Sequence, residues 1–149
     1  VNGAINPSGN LSFNLHAKSV IEYNGYVNQS VTGYATPGIF TNKKYGILRI
    51  NLRGTNNIAN TGLNVYVRTE LELNRGELNL NQNTLTIENG NGSAITRQLG
   101  YIKSEDNNAI NNSVIKWQNF QAGLHIVPFG ISSTDDISIA GIGSASSFT

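Results

Sequence analysis

Cysteine and methionine are both missing from the 149 residues. Without cysteine there is no disulfide framework, no thiolate zinc site and no thiol nucleophile. Charge is scarce too. Ten Lys+Arg stand against nine Asp+Glu, a net charge of +1, and charged residues make up 13% of the chain, about half the usual share for a soluble domain. A nucleic-acid binder needs a basic stripe to neutralise phosphates, so that class is excluded. No apolar run approaches the ~18 residues of a spanning helix. The first residue is Val1 and not Met, which reads as a removed signal peptide or an excised segment.

Uncharged polar groups supply what charge does not. There are 23 asparagines, and Asn, Ser, Thr and Gln together form about a third of the chain, far above average usage. Enough Ile, Leu, Val and Phe remain to exclude a disordered chain.

Those apolar residues alternate with polar ones. The pattern is clear at Leu11-Ser-Phe13-Asn-Leu15, Leu48-Arg-Ile50-Asn-Leu52, Leu63-Asn-Val65-Tyr-Val67, Leu71-Glu-Leu73, Leu78-Asn-Leu80, Leu85-Thr-Ile87, Ile115-Lys-Trp117 and Ile137-Ser-Ile139. A period of two with one apolar face predicts half-buried strands. No segment carries the i, i+3, i+4, i+7 spacing of an amphipathic helix, so the chain reads as all-β. Between Leu63 and Ile87 four short strands are expected, separated by Arg68-Thr69-Glu70, Asn74-Arg75-Gly76-Glu77 and Asn81-Gln82-Asn83-Thr84.

Two architectures suit short, closely spaced strands: a solenoid wound around one core, and an antiparallel β-sandwich. Asparagine favours the solenoid. Stacked coils place equivalent turn residues above one another, where Asn hydrogen-bonds along the stack and tolerates left-handed corners. The pairs Asn2-Gly3, Asn24-Gly25, Asn89-Gly90 and Asn91-Gly92 are hairpin signals that keep the sandwich as the alternative. A right-handed parallel β-helix with coils of roughly 20–25 residues would give about six coils. It forms a single unit over residues 1–149. The segment 28–44 reads as a loop, Ser132–Asp136 as a polar turn, and 140–149 as a flexible tail or linker.

Several strings share a family likeness in their order. Ser19-Val-Ile-Glu-Tyr-Asn-Gly25, Asn28-Gln-Ser-Val-Thr32, Tyr45-Gly-Ile-Leu-Arg-Ile-Asn51 and Gly76-Glu-Leu-Asn-Leu-Asn-Gln-Asn-Thr-Leu-Thr-Ile87 are followed by Ala94-Ile-Thr-Arg97, Gly100-Tyr-Ile-Lys-Ser-Glu105, Val114-Ile-Lys-Trp117 and Val127-Pro-Phe-Gly130. The series resembles β-repeat segments of large secreted Bacteroidetes surface proteins, cargo of the type IX secretion system with adhesin-like character. The resemblance implies export, a place at the cell surface, parallel β-helix repeats and a non-enzymatic role. It departs in lacking the separate C-terminal sorting domain usual after such repeats, and it carries no catalytic residue across.

Side chains able to do chemistry are few. His16 and His125 fall on the polar phase of their alternating segments and read as surface or core-edge histidines, with no third ligand for a metal. Glu70 and Glu72 share a strand face, where Arg68 and Arg75 are expected to pair with them. Glu77, the pair Glu105-Asp106 and the pair Asp135-Asp136 complete the acids considered. Asp135-Asp136 fits an Asx-type turn, with calcium ligation the sharper alternative. Gly141–Ser144 is neither a nucleophile elbow nor a phosphate loop. Tyr23, Tyr26, Tyr34, Phe40 and Tyr45 cluster, either as a cover over a solenoid end or as a binding face. Trp117, in phase with Ile115, reads as core, with Phe120 nearby.

The expectation is an extracellular structural or adhesive surface segment, one that assembles itself into a fibre or forms part of a longer adhesin. It has no catalytic, cofactor or metal residues and no cofactor, and it associates with itself, with neighbouring repeats or with surface glycans. A carbohydrate-binding β-sandwich module is the second reading.

Overall fold

The structure, a computed structural model, describes residues 15–32, 44–54, 56–103, 113–141 and 147–148. Its strands are β1 (Val20–Tyr23), β2 (Gln29–Val31), β3 (Lys44–Asn51), β4 (Ile58–Thr61), β5 (Val65–Asn79), β6 (Thr84–Ile87), β7 (Ile95–Lys103), β8 (Val114–Gln118), β9 (Gly123–Val127), β10 (Phe129–Gly130), β11 (Ile137–Gly141) and β12 (Ser147–Phe148). A 3-10 turn, Gly92–Ala94, precedes β7. The strands form a parallel β-solenoid of about 4 turns.

The pairing sorts them into three parallel stacks. The first holds β1, the second half of β3, the middle of β5 and the start of β7. The second holds β2, β4, the ends of β5 and β7, and β10. The third holds the start of β3, the start of β5, β6 and β8. Parallel ladders exclude the antiparallel sandwich.

The four strands expected between Leu63 and Ile87 resolve differently. β5 alone runs through 15 residues and contributes to all three stacks, so the expected breaks at Arg68-Thr69-Glu70 and Asn74–Glu77 are corners inside one strand. A corner does not end pairing when the coils above and below turn with it. Aligned partners lie as close as 19 residues (Ala59↔Leu78) and as far as 30 (Leu85↔Ile115). The expected six or so coils give way to about 4.

Alternation places the core. Leu48, Leu71 and Ile95 align as one interior ladder. Tyr45, Val67, Ile87 and Trp117 align as a second, and Ala59, Leu78 and Ile102 as a third. All of them are buried. Each side chain rests on its counterpart one coil away, about 4.8 Å along the axis, and water is excluded from a continuous apolar column.

Asparagine serves the turns as anticipated. Asn56, Asn81 and Asn119 adopt positive φ, as does Gln82, a conformation that Asn tolerates better than most residues. Other asparagines tie one coil to the next. The Asn28 Oδ1 accepts from the Ile58 amide at 2.9 Å and the Asn64 Oδ1 from the Thr84 amide at 2.8 Å. The Asn89 Nδ2 donates to the Thr69 carbonyl at 2.9 Å. These are side-chain bonds to backbone, which satisfy peptide groups that the corners leave without a ladder partner.

At the C-terminal end the chain reverses. β11 pairs antiparallel with β9, and β12 antiparallel with β8. Ser147–Phe148 lies within the stretch read as a flexible tail or linker and instead forms a strand over the last coil. Residues 1–14, 33–43, 55, 104–112, 142–146 and 149 lie outside the described set. The Leu11–Phe13 strand, Tyr34, Phe40, the Glu105-Asp106 pair and most of Gly141–Ser144 therefore fall there.

Candidate functional site

The corner between the first and second stacks carries an open groove along the solenoid axis. Its members come from successive coils. The Arg53 amide donates to the Gly25 carbonyl at 2.9 Å, and the Leu52 amide donates to the Arg75 carbonyl at 3.0 Å. Arg75 in turn aligns with Leu99. Tyr26, Arg53, Arg75 and Leu99 thus follow one another along the corner.

Two adjoining hollows make up the groove, sharing Asn56, Gly76 and Leu99. One, of about 370 Å³, is lined by Arg53, Gly54 and Arg75 besides the shared residues. The other, of about 410 Å³, adds Asn57, Ile58, Glu77, Tyr101 and Ser133. The shared floor residue Gly76 has φ +94°, and a Cβ there would come 3.0 Å from the Leu52 side chain. A side chain at this corner would be strained as well as crowded.

The electrostatics of the two hollows differ. Among the described residues neither Arg53 nor Arg75 forms an ion pair; the Arg53 guanidinium lies 5.7 Å from the ring centre of Tyr26, within cation–π range. Tyr26 is 71% exposed. The first hollow is cationic and contains no acid. In the second, Glu77 accepts from the Tyr101 hydroxyl at 2.9 Å and lies 3.8 Å from the Lys103 ammonium. Burial, followed by the hydrogen bond to Glu77, pushes the Tyr101 phenol up to about 12. It remains a neutral donor at physiological pH.

The other acids are engaged between coils. Glu22, Arg49, Glu72 and Thr96 align as an outer ladder on the first stack, and Arg49 pairs with Glu72. The partner of Glu72 is therefore Arg49 from the preceding coil; Arg68 and Arg75, nearer in sequence, were expected. Arg68 donates to the Leu15 carbonyl at 2.9 Å, and Glu70 accepts from the Thr96 hydroxyl at 2.9 Å.

Asp135 caps its own turn. Its Oδ2 accepts from the Ile131 and Ser132 amides at 2.8 and 2.9 Å. The Arg97 guanidinium donates to the Asp135 carbonyl at 2.6 Å and to the Asp136 Oδ2 at 3.0 Å. The Ile131 amide bond above all, with Arg97 adding its charge, holds the Asp135 carboxyl below its ordinary value. The carboxylate thus reaches back to amides three and four positions before it, in place of the forward bond of the expected Asx-type turn. A guanidinium holds the Asp135 carbonyl and Asp136 carboxylate oxygens that calcium ligation would use. Among the described residues no group of three or more His, Asp or Glu converges as a metal site.

The histidines separate. His16 is exposed, its Nδ1 accepting from the Lys18 amide at 3.1 Å. His125, expected on a polar face, is fully buried. It stacks on Phe120 at 4.1 Å and 22°, meets Trp117 edge-on at 5.6 Å, and places Nε2 2.9 Å from the Gly90 carbonyl. The phase of β9 is inverted: His125 and Val127 face inward while Leu124 and Ile126 are exposed. The Gly90 carbonyl and the Phe120 ring receive the imidazole, and Gly92 lets the β9 backbone come close, since a Cβ there would lie 2.0 Å from the Leu124 carbonyl oxygen.

The tyrosine cluster divides likewise. Of its described members, Tyr23 and Tyr45 are buried and Tyr26 faces solvent. Trp117 is core, as its phase predicted. An apolar hollow of about 260 Å³ beside it is lined chiefly by Val114, Ile115, Val127, Phe129, Ile137 and Ile139. The groove was missed in the sequence because its arginines and Tyr101 lie 22 to 48 positions apart and only coil register unites them.

No protein-family model matches the chain, and no curated protein or solved structure shows significant similarity to it.

Proposed function

We propose that the chain is a segment of an extracellular surface protein with a structural and adhesive role. The observation that carries this reading is the axial groove, an open run of arginine, asparagine and tyrosine on a parallel scaffold. A site spread over successive coils suits a long ligand held by many weak contacts. The resemblance to secreted Bacteroidetes repeats points to the same setting.

The arrangement of the acids supports a binding role over a catalytic one. Glycoside hydrolysis uses two carboxylates facing each other across a cleft, and among the described residues Glu77 is the one acid that lines this groove. The antiparallel strands β11 and β12 support a solenoid segment whose C-terminal end is covered, in preference to one that stacks end to end into a fibre at that face. Neighbouring repeats of a longer protein and surface glycans are the partners this reading favours.

Protease treatment of intact cells that make the protein tests the setting. Release of peptides from this chain without lysis is the expected result. Full protection until the cells are broken open would overturn it.

A further inference from the structure

We infer that the corner groove is a binding site for an acidic glycan, its anionic groups held by Arg53 and Arg75 and its hydroxyl-bearing faces by Tyr101, Asn56 and Ser133. This deepens the adhesive reading and rests on it for its setting.

The charge layout carries the inference. Arg53 and Arg75 lie one coil apart, linked through the Leu52–Arg75 backbone bond, and form no ion pair among the described residues. Most other cations that line the outer faces are matched: Lys44 with Glu88, Arg49 with Glu72, Arg97 with Asp136 and Lys103 with Glu77. Guanidinium is a planar fork that meets carboxylate or sulfate oxygens with two parallel hydrogen bonds. Arg75 pairs in register with Asn51, two positions before Arg53, so the two forks are offset along the strand as well as by one coil, and they address anionic groups repeated along an extended chain.

The adjoining hollow has the complementary chemistry. Glu77, the single acid among its lining residues, accepts from Tyr101 through Oε2 and has the Lys103 ammonium 3.8 Å from Oε1, which offsets its charge although Oε1 accepts no hydrogen bond. Tyr101, Asn56, Asn57 and Ser133 offer hydroxyl and amide groups, while Tyr26 at the cationic end is an exposed aromatic face. A ligand that is acidic at intervals and hydroxylated between them fits both hollows; a fatty or purely neutral ligand fits one at most.

Two other polyanions fit less well. A nucleic acid presents one charge per about 1.7 Å of duplex and is held by many cations, against two here and a net charge of +1. An acidic peptide commonly binds by adding a strand to an open sheet edge. The backbone under this groove is already bonded to the coils on either side.

Binding of the purified chain to alginate and chondroitin sulfate, measured by calorimetry beside neutral dextran, polyglutamate and single-stranded DNA, tests the proposal. At least one acidic polysaccharide should bind, and dextran should not. The R53Q/R75Q double variant should bind roughly tenfold more weakly or worse, about 1.4 kcal/mol, with an unchanged melting temperature because both residues are exposed. Y101F should bind more weakly without losing the preference for acidic chains. Three results would each overturn the proposal: no binding to either acidic polysaccharide, undiminished binding by R53Q/R75Q, or equal binding of polyglutamate or DNA. A chain that is surface-exposed on cells yet binds none of these fails here alone; one that binds but stays inside the cell overturns the setting and leaves the site.

Discussion

The phenol oxygens of Tyr23 and Tyr45 lie 2.9 Å apart inside the N-terminal coils. The Tyr45 hydroxyl is 2.7 Å from the Thr32 carbonyl, and the Thr32 amide donates to the Tyr23 oxygen at 3.1 Å. Strands from the first and third stacks are thereby fastened to the end of the second. Tyr45→Phe strips the donor from the Thr32 carbonyl and should cost about 1–3 kcal/mol. Burial pushes the Tyr45 phenol far above its ordinary value, with Tyr23 adding to the rise and Thr32 opposing it. The unfolded phenol ionises near pH 10, so this stability is complete below about pH 10 and is lost as pH climbs beyond it, by up to about 1.4 kcal/mol per unit. Urea denaturation at pH 8 and pH 11 checks both points. A Tyr45→Phe variant with the same stability and the same alkaline decline as the parent would refute the account.

Leu71 sits fully buried at the middle of the Leu48–Leu71–Ile95 ladder. Leu71→Ala removes a side chain that touches the coils on both sides, and the backbone ladders limit collapse into the space. A loss of about 2–5 kcal/mol is expected, read from the shift of the denaturation midpoint at constant slope. Leu99→Ala, at a site 60% exposed, is the control and should fall within about 0.5 kcal/mol of the parent. Equal losses at the two sites would contradict the interior assignment.

Asp135 governs an acid-sensitive turn. Its carboxyl is held below the ordinary 3.8 chiefly by the Ile131 amide. A depressed value means that the contribution is present above about pH 4 and is lost as pH falls through the folded-state value. Amide exchange at Ile131 and Ser132, followed by NMR, should therefore accelerate on acidification while exchange at Leu71 stays slow. In Asp135→Asn the two amides should exchange fast at neutral pH and respond little to acid. Protection unaffected by the substitution would show that the carboxylate does not cap this turn.

The apolar faces of the coils were readable because a solenoid buries every second residue in the same way that alternation predicts. Leu48, Ile50, Val65, Val67, Leu71, Leu73, Leu78, Leu85, Ile87 and Trp117 all lie inside. The reading failed where one coil's neighbour decides the outcome. His125 is inward because the Gly90 carbonyl and the Phe120 ring receive it, and those are 35 and 5 positions away. Leu63 belongs to an alternating string but stands 41% exposed at the turn before β5. The Glu72 partner lay hidden for the same reason, since local spacing suggests Arg68 while register delivers Arg49. The groove is the extreme case: none of its residues is unusual in its own segment, and its chemistry exists only after stacking.

Arg97 occupies the ladder position that Tyr23, Ile50 and Leu73 hold in the preceding coils, and it is bonded to Asp135 and Asp136. An ionised group cannot serve as the platform for another apolar side chain, so this column ends there. A coil duplicated ahead of Arg97 would extend the column without a fault, whereas one grafted after it would have to begin on a charge and displace the turn that neutralises it.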